Sequence, residues 1–225
     1  MQTPLDLPMV ALTLQVALVA TLINLPIGLG VSWLLIKRSI PGRFIIDMLV
    51  SLPLALPPVA VGFFLLLLLG REGPIGALAH RLLGVDIVFT WVAAALASAV
   101  VSFPLLARAM MVAMGEVDPR LEMSARSLGA GPWRVALTVT IPLAYRGILA
   151  GVLLGFVRAL SEFGATIVVA GNIADRTQTL PLAIYTSVQL RDDATALRLV
   201  AAAITLAAVT LLAHNWLLQR ANQKR

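Results

Sequence analysis

Two ionisable residues stand four apart inside an otherwise apolar run, Arg158 and Glu162 in the segment Phe156-Val157-Arg158-Ala159-Leu160-Ser161-Glu162-Phe163-Gly164-Ala165-Thr166. An ionisable group at membrane depth is expensive and turns toward a partner or a water-filled cavity. The four-residue spacing sets both on one helical face, where they can form an ion pair. Two readings stand. The pair is structural, or its face, with Ser161, Phe163, Gly164 and Thr166, borders a path or gate.

Other routes to chemistry are poorly supplied. The chain has no cysteine, which removes disulfides, thiolate metal sites and a cysteine nucleophile. His80 and His214 lie far apart with no ligand pattern beside either, so no metal centre is expected. Ser161 adjoins Glu162 but has no histidine nearby to activate it. No Gly-x-x-x-x-Gly-Lys-Ser/Thr phosphate loop occurs, so ATP is not expected to be hydrolysed here. An intramembrane protease or lipid-modifying transferase needs a nucleophile, metal or acid pair at membrane depth. The membrane acids are too few for that, and neither an enzymatic activity nor a cofactor is expected in this chain.

The elements that position Arg158 and Glu162 are membrane helices. Of 225 residues, 60% are hydrophobic and 12% charged, and the mean hydropathy is +0.94. The charges gather into short clusters between long uncharged runs, so the bilayer replaces water as the solvent of most of the chain. Leu7 to Ile36 carries no charge and its thirty residues exceed the ~20 needed for a crossing. The preceding Met1 to Asp6 has no basic residue, and the run is too long for a signal-peptide core; it is expected to remain as the first helix. A second run, Met48 to Gly70, is interrupted by Pro53, Pro57 and Pro58 and is expected to kink or unwind there. Such a break must face protein or a water-filled cavity. Pro57 and Pro58 therefore mark either a packing kink or part of the path. Further runs are Ile87 to Ala107, one beginning after the polar stretch Arg108 to Arg134 and ending near Gly171, and Leu199 to Leu218. The stretch Leu180 to Leu190 is apolar but too short to span, and reads as an external or re-entrant helix.

The net charge of +6 and isoelectric point near 11.0 reflect topology rather than nucleic-acid binding. Lys37 to Arg43 holds three basic residues and Arg108 to Arg146 five; the tail adds Arg220, Lys224 and Arg225. Between them, Arg71 to Asp86 and Gly171 to Arg198 hold two and three, offset by Glu72 and Asp86, and by Asp175, Asp192 and Asp193. The positive-inside rule then puts the N-terminus outside and the C-terminus in the cytoplasm, with five crossings.

The long basic segment reads as two short helices. Gly129 and Gly131 suit a C-cap or tight turn, and Pro132 suits the first turn of the next helix. This segment resembles the loop of permeases of ATP-binding-cassette importers, whose pattern is Glu-Ala-Ala, three residues, Gly, nine residues, Ile-x-Leu-Pro. Gly129 and Pro142 match, with Val139 and Ile141 as conservative replacements. Met123 and Ser124 stand where Glu and Ala are usual, Ala125 fits, and Glu122 sits one position early. A second resemblance narrows the family to molybdate permeases. It rests on Ser161-Glu162-Phe163-Gly164-Ala165-Thr166, with Ser161 for the family's glycine, together with Leu54 to Val59, Gly70 to Gly76, and Thr179 to Tyr185.

The resemblance implies an all-α integral membrane protein of about five transmembrane helices, a single permease domain over 1–225, with a cytoplasmic helix-turn-helix coupling loop at about 116–142. It implies ATPase coupling through Ser124, Ala125, Arg126, Leu128, Gly129, Ala130, Gly131, Trp133 and Pro142. It also implies a bacterial inner-membrane location, a second copy of the chain, two cytoplasmic ATPases that bind ATP and Mg, and a periplasmic molybdate-binding protein. Glu162 would repel a divalent oxyanion unless compensated, so hydroxyls, backbone donors and helix N-termini are better candidate contacts. Sulfate and tungstate permeases are similar, and a passive channel is a further class that ATP-independent transport would support.

Overall fold

The structure is a computed structural model that describes residues 7–37 and 41–223, with side chains described over 7–36 and 41–212. Met1 to Asp6, the side chains of Lys37, His214 and Arg220, and residues Arg38, Lys224 and Arg225 lie outside the described residues. Every regular element among the described residues is a helix.

Helix α1 runs from Leu7 to Lys37, and the second apolar run is split into α2 (Arg43–Ala55) and α3 (Pro58–Leu69). These two meet at 114°. The prolines explain the break. A residue preceding proline is driven out of the α region, and Leu56 and Pro57 are both extended, at φ −87°, ψ 145° and φ −56°, ψ 134°. The expected kink is thus a sharp corner. A short helix, α4 (Pro74–Leu83), lies in the connecting segment Arg71 to Asp86, with Pro74 in its first turn and Gly84 left-handed at its end.

The third run forms α5 (Trp91–Gly115), which continues past Ala107, so Arg108 belongs to this helix rather than to the polar stretch after it. The basic segment then folds as α6 (Pro119–Ser127) and α7 (Pro132–Val135), a π-helical turn over Ala136–Thr140, and α8 (Ile141–Leu160). The fourth run does not continue to Gly171 as one helix. It stops at Leu160 and resumes as α9 (Gly164–Val169). The chain ends with α10 (Leu180–Gln189) and α11 (Asp193–Gln223). Ahead of α11, Asp192 accepts from the Thr195 backbone N–H at 3.0 Å, and hydrogen bonding from Thr195 holds its carboxyl below the usual range.

Helix α5 is the centre of the bundle: 61% of its most apolar window is buried, against 11% for α11 at the periphery. Its first half is almost all small, with Ala93, Ala94, Ala95, Ala97, Ser98 and Ala99 buried. Helices separated by lipid gain little from hydrophobicity on meeting, so close approach over small residues and interhelical hydrogen bonds do the holding. Both devices are present. Asn24 of α1 donates to the Ala99 carbonyl at 2.8 Å and to Ser102 Oγ at 3.2 Å, and Ser32 Oγ donates to the Ala107 carbonyl at 3.1 Å. Beside them, Gly147, Gly151 and Gly155 of α8 lie against Ala113, Ala109 and Leu106 of α5. Arg108 clamps α2 to α5, with Nη1 and Nη2 at 2.8 and 2.9 Å from the two oxygens of Asp47 and Nη2 also on Ser51 Oγ.

Candidate translocation path and coupling segment

The two helix breaks are brought together. A Cβ on Gly62 would stand 2.8 Å from the Ala165 Cα, and one on Gly164 would stand 2.9 Å from the Pro58 Cβ. The first turns of α3 and α9 therefore touch backbone to backbone, which only glycine permits at these positions. Non-helical backbone at membrane depth is tolerated where protein or water covers it; here the helix starts that follow the two breaks pack on each other.

The second break is made by a side chain. Glu162 is 3% exposed and lies past the end of α8, so Arg158 and Glu162 do not share the face of one continuous helix. The ion pair nevertheless forms, with Arg158 Nη2 2.9 Å from Glu162 Oε2. The other oxygen, Oε1, accepts the backbone N–H of Ala165 at 2.8 Å and so satisfies one of the free donors at the start of α9. A buried carboxylate with both oxygens engaged is compensated. Its partner is less enclosed: the Arg158 side chain is 29% exposed against 1% for Glu162. A guanidinium turned to hydrocarbon is costly, so this edge belongs toward water or protein.

Among the other expected path residues, Ser161 is exposed and donates from Oγ to the Arg158 carbonyl at 3.1 Å. Phe163 stacks at a tilt on Tyr185 of α10, centroids 5.0 Å apart. Pro57 is exposed and Pro58 half-buried. Gly164 and Thr166 are buried, and the Thr166 hydroxyl has no hydrogen-bond partner among the described residues.

The segment expected to couple to an ATPase has the expected helix-turn-helix shape. Asp118 caps α6 through the Arg120 N–H at 2.9 Å, and Gly129, at φ +86°, makes the turn. Ser124, Arg126, Gly129 and Gly131 are exposed, while Ala125 and Ala130 are partly covered. Leu128 is 89% exposed and Trp133 66%. Pro142 sits in the first turn of α8. Two contacts here were not read from the sequence. Trp133 stacks on Trp33 of α1, centroids 4.8 Å apart and planes 24° apart. Glu122, buried at 5%, accepts from Thr140 Oγ1 at 2.7 Å. The only sequence signal for the latter was a glutamate displaced by one position.

Long apolar helices around a small-residue core, two of them broken against each other, and an apolar-tipped knob on one connection define a membrane permease component. Residues 24–223 match the family described as binding-protein-dependent transport system inner membrane component, and the chain belongs to that family. It is 46% identical over 92% of its length to the molybdenum transport system permease protein ModB of Escherichia coli (strain K12), covering 91% of that protein. It is 43% identical over 98% of its length to the protein of the same name from Haemophilus influenzae, covering 96% of it. The fold is that of a methionine ABC transporter solved in inward-facing conformations, at TM-score 0.75, 17% identity and coverage of 98% and 99% of the two chains.

Proposed function

We propose that the chain is the membrane permease of an ATP-binding-cassette importer that carries molybdate into the cytoplasm. The observation that carries this is the 46% identity, across 92% of the chain, to a protein named for molybdenum transport. In this reading two copies line one pathway, as cyclic symmetry suits a route between identical subunits. Two cytoplasmic ATPases bind ATP and Mg, and a periplasmic protein delivers the oxyanion. The α3–α9 junction and the outward edge of Arg158 border the path.

Alternating access needs ATP to favour one arrangement of the helices over another, so some contact must carry that differential free energy. The segment from α6 to α7 suits the task. An apolar tip of Leu128 and Trp133, with Met123 56% exposed beside them, is unusual on a polar connection and marks an interaction surface. In this reading it docks in a cleft of the ATPase.

The test is reconstitution with the ATPase and binding protein in vesicles. Molybdate uptake coupled to ATP hydrolysis is expected, with sulfate a weak competitor. Equal uptake of sulfate would reassign the cargo, and uptake without ATP would point to a passive channel. For docking, the variant Gly129→Val with Ala125→Glu places a β-branched residue at φ +86° and a charge at the α6 surface. It should insert normally but lose ATPase co-purification and uptake; wild-type coupling would remove the docking role.

A further inference from the structure

Glu122 is the sole buried residue of α6, and its burial is at odds with its setting. A carboxylate on a short, water-exposed helix is solvated at no cost if it points outward, and enclosing it costs several kcal/mol unless hydrogen bonds replace the lost water. Its exposed neighbours Met123, Ser124, Arg126 and Ser127 occupy the surface of the knob, while Glu122 is turned inward to Thr140, itself 1% exposed.

Thr140 closes the π-helical turn that joins α7 to α8. Such a turn holds an extra residue and is a weak point of a helix, frequent where function requires movement. Without a tie, a push on α6 would be absorbed by the Leu128–Gly131 turn and by this widened turn. The Glu122–Thr140 hydrogen bond bypasses both, since it joins residues eighteen apart in sequence and links α6 directly to the head of α8. Trp133 on Trp33 ties the same knob to α1, and both α1 and α8 pack on α5.

We infer that Glu122 is a positioning residue for transport: it meets Thr140 rather than the ATPase, and makes α6 move as one body with α8. The inference rests on the proposed docking of the α6–α7 knob. Loss of the clasp should leave docking intact and let ATP be hydrolysed without moving the helices.

The experiment uses the complete complex in vesicles, with this chain carrying Glu122→Ala, Thr140→Val, both together, or the conservative Glu122→Gln and Thr140→Ser. Co-purification of the ATPase, hydrolysis stimulated by loaded binding protein, and molybdate taken up per ATP are measured. Expected is normal co-purification with uptake per ATP lowered about tenfold in Glu122→Ala and Thr140→Val, a size typical of coupling between sites. The double variant should be no worse than the worse single one, and the conservative variants, which keep an acceptor and a hydroxyl, should restore coupling. Should Glu122→Ala fail to insert, Thr140→Val decides alone, since it exchanges only a hydroxyl for a methyl. Unchanged uptake per ATP in Thr140→Val overturns the inference. So does loss of co-purification in Glu122→Ala alone, which would place Glu122 at the partner surface. Failure of the docking reading is seen separately, as wild-type coupling in the Gly129→Val, Ala125→Glu variant.

Discussion

At the scale of residues, Glu162 does two jobs and Arg158 one, and this asymmetry is measurable. Removing the guanidinium by Arg158→Gln leaves a buried carboxylate with one oxygen still bonded to the Ala165 N–H. Breaking a buried pair in this way costs about 3 kcal/mol, lessened by the partial exposure of Arg158. Glu162→Ala removes the pair and the α9 cap together and should cost more, with uptake falling in parallel. A double-mutant cycle over thermal unfolding in detergent checks the assignment. Arg158→Gln with Glu162→Ala should be more stable than the sum of the two single losses predicts. Strict additivity would mean that the two side chains do not interact. The sequence already suggested a pair from the four-residue spacing. What it hid was the helix end between them, because the segment Ser161 to Phe163 has no proline and only the capping by Glu162 defines it.

At the scale of elements, α5 and α8 approach closely over small residues. A Cβ on Gly147 would stand 2.3 Å from the Ala113 Cβ, and one on Gly151 would stand 3.0 Å from the Leu106 carbonyl and the Ala109 Cβ. Neither neighbour can swing aside, since both are rooted in the helix backbone. Gly147→Ala should therefore cost about 1–3 kcal/mol through overpacking, seen as a lower melting temperature, even though alanine is the better helix former. Ala113→Gly in the same chain should recover part of the loss. An unchanged melting temperature in Gly147→Ala would show the two helices to be farther apart. Which elements the sequence revealed follows from local signals. The uncharged run Leu7 to Ile36 forms a helix with nearly those limits, and Gly129 with Pro132 foretold the turn between α6 and α7. Helix α4 was missed although Pro74 and Gly84 bracket it in the favoured start and stop positions. Its ten residues lie among charges, and so carried no long apolar signal.

At the scale of the whole molecule, the meeting of the α2–α3 corner with the α8–α9 break is a long-range fact that no local pattern carries. Pro58 and Gly164 stand far apart in sequence, and only the backbone approach of α3 to α9 joins them. The same corner bears on how many times the chain crosses the membrane. Among the described residues four helices are long and apolar enough to span, and α2 with α3 supplies a fifth only as a bent pair. Helix α10, with ten residues, reaches about 15 Å at 1.5 Å per residue, half of the ~30 Å hydrocarbon layer. It cannot add a sixth. If the bent pair is one span the count is odd and the ends of the chain are expected on opposite sides, with the α5–α8 connection, which carries Arg120, Arg126 and Arg134, expected in the cytoplasm. The expected outcome is that a reporter fused after Gly76 registers an outside location, one fused after Gly131 a cytoplasmic one, and one fused after Gln189 an outside one. A reversed pattern for the first two would invert the orientation. A cytoplasmic signal after Gln189, with the other two as expected, would leave the orientation standing but require α10 and its flanks to cross. That would also place the α6–α7 knob and the far end of α11 on opposite faces of the membrane.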